Sequence, residues 1–170
     1  MTTYMILYKK NAIANLIGRP VRTIKHWTDI GVVAPEGMPA RGKGYVRTYS
    51  RRNLIEFAMV DFMSLNLTIS LDVIAAVIDH LRDSVDLTDP NFGKQFELYY
   101  CYEVKRVQGE GWNHFSLEVK SGRFDKSWIG EELDEWVNNN EISGFMMLKL
   151  GQIRNKAVEK HQLNLLDDIK

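Results

Sequence analysis

The 170-residue sequence predicts an α+β protein. Four helices and a small basic hairpin fill residues 1–82, a link spans 83–91, and a strand-containing unit spans 92–170. Three observations carry this reading. Apolar residues recur at helical spacing through the first eighty positions, punctuated by Gly, Pro and Ser where helices would start and stop. Charge is divided: residues 1–60 hold ten Lys and Arg against Asp29, Glu36 and Glu56, so 10 − 3 = +7, and the remainder holds 12 − 19 = −7. Aromatic residues gather late, with eleven of the eighteen between Phe92 and Phe145, in stretches whose composition favours strands.

Taken in order, Ala12, Ile13, Leu16 and Ile17 follow helical spacing, and Gly18 stands where a helix takes a left-handed terminal residue. Pro20 suits the first turn of a second helix, on which Val21, Ile24 and Trp27 form a stripe that Gly31 ends. Two short helices joined by a tight turn, the second one basic, are the ingredients of a helix-turn-helix. Pro35, Gly37, Pro39, Gly42 and Gly44 then break the chain around Arg41 and Lys43, and Tyr45 to Tyr49 alternates, which reads as a basic hairpin. Ser50 is placed to cap a third helix with Leu54, Phe57, Ala58 and Phe62 on its apolar face. Ser70 is placed to cap a fourth, with Asp72 in its first turn and Ile74, Val77, Ile78 and Leu81 turned inward. "DSVDLTDP" forms the link. Beyond it, Phe96–Val107 and His114–Lys120 favour strands around the turn-forming "QGEGWN". "SWIGEELDEWVNNN" resembles a short acidic helix, and from Phe145 to Leu150 periodicity allows either a strand or the start of a helix reaching Leu165.

The bulk numbers exclude several classes. A single cysteine, Cys101, forms no internal disulfide, so a reduced, cytoplasmic setting is expected. No apolar run is long enough to span a membrane, and no signal-peptide pattern opens the chain. His80, His114 and His161 have no ligand spacing with one another, so no metal is expected. Glu131, Glu132, Asp134 and Glu135 wrap around a helix as a solvated face does, and no phosphate loop, nucleophile elbow or zinc-protease helix is present. Neither enzymatic activity nor a cofactor is predicted.

The basic end suits a duplex, whose phosphates lie roughly every 1.7 Å along the axis. Arg22, Lys25, Arg41, Lys43 and Arg47 are placed to displace counterions. Arginine also matches the guanine O6/N7 edge with two parallel donors, which makes Arg19 and Arg22, at the start of the second helix, candidates for base contact, Arg22 first. The competing reading of Trp27 is core packing; for Arg41 and Lys43 it is a solvated loop, and for Arg51 and Arg52 it is surface charge at a helix start.

Two stretches, "YKKNAIANLIGRPVRTIKHWTDIGVVAP" and "RTYSRRNLIEFAMVDFMSLNLTISLDVIAAVI", resemble the MerR family of bacterial winged helix-turn-helix regulators over about the first eighty residues. The resemblance lies in an Arg-Thr-aliphatic-basic-aromatic-aromatic recognition helix, a Gly-aliphatic-aliphatic-x-Pro exit, a wing arginine and a following Tyr-Ser. It implies a sequence-specific transcriptional regulator that binds a two-fold symmetric operator as a homodimer and distorts it. The implied DNA-contacting set is Arg19, Arg22, Thr23, Lys25, His26, Trp27, Arg41, Lys43, Tyr45 and Arg47. Of the pair His26 and Trp27, where the family usually has two tyrosines, one supports the helix and the other touches the DNA backbone. Tyr45-Val46-Arg47 also departs from the family's aromatic placed directly before the arginine. The partners to expect are double-stranded DNA, a second copy of the chain, RNA polymerase and a small-molecule effector of unidentified class, with no membrane. Dimerisation falls either to Gly144–Leu165, with its stripe of Leu150, Ile153, Ala157, Val158 and His161, or to the aromatic-rich strands. Those aromatics either line a ligand pocket or fill a core. Two other functions fit the same features: an excisionase-like architectural factor that bends DNA, and a protein-interaction adaptor built on a helix-turn-helix.

Overall fold

The computed structural model describes residues 6–36, 46–89, 92, 99–106, 113–120 and 142–163. Helix α1 (Lys10–Ile17) buries Ile13, Ala14 and Ile17 and ends at Gly18, whose φ of +66° is the left-handed conformation that a side chain would strain. No atom lies within 4 Å of where a Cβ would stand on Gly18, so the backbone angle rather than crowding calls for glycine. Pro20 occupies the N-cap of α2 (Val21–Asp29), one residue earlier than the expected first turn, and its carbonyl accepts from the Thr23 amide at 2.9 Å. Ile24 and Trp27 of the expected stripe are buried, whereas Val21 is 37% exposed. Gly31, at φ +80°, turns the chain so that buried Val32 and Val33 follow, their amides donating to the Trp27 carbonyl.

The chain returns from 37–45, outside the described residues, as strand β2 (Thr48–Tyr49). This strand pairs antiparallel with β1 (Tyr8–Lys9), Tyr8 opposite Tyr49 and Lys9 opposite Thr48. The described part of the expected hairpin is thus anchored to the N-terminal strand. Helix α3 (Arg51–Asn66) opens with a capping box: the Ser50 hydroxyl accepts from the Asn53 amide at 3.1 Å while Asn53 Oδ1 accepts from the Ser50 amide at 3.2 Å. Every residue from Asn53 to Asp61 on α3 is buried, which makes it the axis around which the other helices pack. The expected face is present in Leu54, Phe57 and Ala58, with Phe62 only half-buried. Ser70 takes the N-cap position of α4 (Leu71–Ser84), but its hydroxyl makes no capping bond; Asp72 sits in the first turn. Ile74, Val77, Ile78 and Leu81 are fully buried, as their spacing predicts.

The chain divides into two compact units, Met1–Phe92 with Ile153–Lys170, and Gly93–Gln152. In the second, β3 (Tyr99–Arg106) is the central strand of an antiparallel sheet ordered β4-β3-β5. Strand β4 (Asn113–Lys120) meets it antiparallel with Arg106 opposite Asn113, pairing the two stretches expected to form strands. Strand β5 (Ile142–Lys149) pairs on the other side, with a register shift between Glu103 and Lys105. The ambiguity at Phe145 resolves into both alternatives: β5 runs directly into helix α5 (Leu150–Lys160) with no intervening loop. Residues 153–170, which the sequence groups with the strands, fall instead in the first unit. The expected acidic helix at 127–140 lies outside the described residues. Among those described, no helix is long and apolar enough to cross a membrane.

Two buried polar groups fasten α5 within the first unit. Arg154, 3% exposed, donates through Nε and NH2 to the Leu87 carbonyl (3.1 and 2.9 Å) and through NH2 to the Asp89 carbonyl at 2.9 Å. Its guanidinium lies 5.7 Å from the centre of the Phe92 ring. At the other end Lys160 Nζ meets the buried Asp61 carboxylate at 3.0 Å. His161 Nε2 approaches the same Asp61 oxygen at 3.1 Å without hydrogen-bonding geometry, an electrostatic contact only. Burial pushes the His161 imidazole below its ordinary pKa, against the pull of Asp61.

Candidate nucleic-acid interface

Helix α2 presents opposite faces. Ile24 and Trp27 turn inward, and the Trp27 ring stacks on Phe57 with centroids 6.3 Å apart; Tyr49 meets Phe57 edge-on at 5.4 Å. Buried Thr28 lies 3.2 Å from the Tyr49 hydroxyl, tying α2 to β2. Of the aromatic pair, Trp27 therefore supports the helix and His26 is exposed. Arg22, Lys25 and His26 are on the outward face and Thr23 is half-buried. Arg22 makes no ion pair or side-chain hydrogen bond among the described residues.

Arg47 joins this face through Asp29. Its NH1 lies 2.6 Å from Asp29 Oδ1, and Lys25 Nζ binds Asp29 Oδ2 from one turn earlier on α2. The two cations, with Lys25 first in effect, hold the Asp29 carboxyl down to about 2. One carboxylate thus brings the side chain of α2 and that of the loop's return together.

Arg19 is placed differently from its expectation. Its Nε binds Oδ1 of Asp61, whose side chain is 1% exposed, so its guanidinium holds the α1–α2 turn against α3 rather than standing open beside Arg22. Arg41, Lys43 and Tyr45 lie outside the described residues.

The base of the loop is fastened by Asn53, which sequence spacing does not single out. Fully buried, its Oδ1 accepts from the Glu36 amide at 2.9 Å as well as from Ser50, and its Nδ2 donates to the Ala34 carbonyl (2.9 Å) and to Glu56 Oε2 (2.8 Å). The Ser50 hydroxyl also bonds Glu36, so Ala34, Glu36 and Ser50 all meet at Asn53. Glu56 is completely buried. Loss of solvation raises its pKa above the usual carboxylate range, opposed by Asn53, Arg82 and Arg52. Arg52 adds bonds to Glu56 and to the Leu81 and Val85 carbonyls, joining α3 to the end of α4.

This helix-turn-helix, with its second helix half-exposed and basic, lies within the stretch that one family model matches. Residues 8–81 match the MerR HTH family of regulatory proteins. This N-terminal region is a MerR-type helix-turn-helix region. A comparison with curated proteins finds no match. The MerR-type match runs from β1 into α4 and stops before β3, so residues 82–170 lie outside it. Within it, the quoted Arg-Thr-aliphatic-basic run coincides with α2, and the Gly-Val-Val-Ala-Pro exit leads to the Asn53 anchor.

Proposed function

We propose that the chain is a cytoplasmic, sequence-specific DNA-binding transcriptional regulator whose MerR-type region lays α2 and its adjoining loop against a duplex. The observation that supports this best is the shared face of Arg22, Lys25, His26 and Arg47, gathered while the apolar face of α2 is buried. Such a face binds phosphates by releasing counterions, and places Arg22 to read a guanine edge. The test is a binding series on random-sequence and genomic-selected duplexes between about 50 and 200 mM salt, over which several phosphate contacts lower affinity by orders of magnitude. Arg22→Ala is expected to weaken selected sites by about 1–3 kcal/mol while leaving random duplex nearly unaffected. Salt-independent binding would favour a protein-interaction adaptor, and equal losses on both duplexes would remove Arg22 from base reading.

The unit Gly93–Gln152 is proposed as the module for dimerisation or effector sensing. Ile153 and Ala157 of the α5 stripe are already buried within the chain, and His161 is engaged with Asp61, which favours the strands as the contact between copies. A mass in solution near twice 19.7 kDa is the expected result. A monomer bound over an extended footprint would instead support an architectural DNA-bending factor.

A further inference from the structure

The first sixty residues contain three acids, and two of them have evident structural work. Glu56 lies in the core with Asn53 and Arg52, and Glu36 takes the Ser50 hydroxyl at the loop base. Asp29 is different. It is the last residue of α2, where the helix dipole disfavours a carboxylate, and its side chain is 35% exposed on the face that carries Lys25 and Arg47. Exposed ion pairs of this kind contribute little to stability, so folding alone gives no reason for an acid here.

We propose that Asp29 is a specificity-determining residue that occupies the phosphate-binding cations Lys25 and Arg47 and so suppresses binding to DNA of arbitrary sequence. The proposal rests on the DNA-binding reading above. Each carboxylate oxygen holds one cation, one from the recognition helix and one from the loop's return, as a bridging phosphate would hold them. With its carboxyl held down to about 2, Asp29 remains an anion at any working pH. A duplex approaching this face must displace Asp29 from both cations, and the displaced carboxylate then stays beside the phosphate chain and repels it. That penalty weighs most on duplex held through its backbone alone, whereas a site where Arg22 meets a base edge need not engage both cations. Arg22 carries no such partner among the described residues, so base contact remains available while backbone contact is restrained. The ratio of selected to random binding rises as a result.

Asp29→Asn keeps the shape and removes the charge. Random-sequence duplex should bind about three- to tenfold more tightly, and the slope of log K against log salt should steepen by about one to two as two cations are freed. Selected sites should gain less, lowering discrimination. Asp29→Ser should behave alike, and adding Lys25→Gln and Arg47→Gln should abolish the gain. A second arm needs no DNA: Asp29→Asn should elute from heparin at higher salt than the parent, and the triple variant should not. Unchanged or weaker binding of Asp29→Asn to heparin overturns the proposal, because Asp29 would then be positioning the cations rather than competing for them. If the parent protein shows no salt-dependent duplex binding, the DNA-binding reading fails instead, and the heparin arm still decides whether Asp29 competes with polyanions.

Discussion

Asn53→Leu is expected to lower the unfolding free energy of the first unit by about 3–5 kcal/mol. The heavy-atom count and branching are kept, though the methyl groups are bulkier; the main loss is in partners. Two amides, Glu36 and Ser50, lose their acceptor, the Ala34 carbonyl loses its donor, and Glu56 loses a neutral partner inside the core. Each orphaned buried group costs about 1–3 kcal/mol. The total stays below the sum because Ala34 and Glu36 are near enough to the surface to recruit water. Hydrogen exchange of the α3 amides under native conditions measures the change directly, and a shift smaller than about 1 kcal/mol would show that the network is not what holds the loop base. The same variant should weaken DNA binding, because the Gly-Val-Val-Ala-Pro exit and the return toward Arg47 lose their common anchor.

The second large effect is expected at Asp61. Arg19 from the α1–α2 turn and Lys160 and His161 from the end of α5 converge on this one buried carboxylate. Asp61→Leu leaves the Arg19 and Lys160 cations facing one another with no anion. The cost is about 3 kcal/mol, the low end for a broken buried pair, since Arg19 and Lys160 both retain access to solvent. Exchange should quicken at both the α1–α2 turn and α5. Adding Lys160→Met to Asp61→Leu should recover part of the loss, and strict additivity of the two substitutions would refute a shared ion cluster.

These two residues mark the boundary of what the sequence makes legible. Helix ends read well because glycine, proline and serine act locally: Gly18 and Gly31 adopt the positive φ that their positions imply, and Ser50 caps α3. The β3–β4 pairing reads well for the same reason, from two strand-forming stretches around a turn. Local spacing fails where the partner is distant. Arg19 looks like a neighbour of Arg22 until Asp61, forty-two positions later, takes its guanidinium. Asn53 stands at the capping-box position usually filled by Glu or Gln, and nothing nearby foretells Ala34 or Glu36 as partners. Lys25 and Asp29 are four apart on one helix and could have been noticed, but Arg47 joins them only through the fold. At Phe145–Leu150 no glycine or proline separates strand from helix, so periodicity alone leaves both open.

Arg154 has a wider implication. By binding the carbonyls of Leu87 and Asp89, it draws together the point where the chain departs toward the strands and the point where it comes back. The intervening sixty residues, 93 to 152, are a detour whose neck is closed by its host. Closing such a detour grows costlier by only about 0.6 kcal/mol for each doubling of its length. Replacing residues 93–152 by a segment of quite different size is therefore expected to leave the first unit folded, with the arginine staple at the mouth in place.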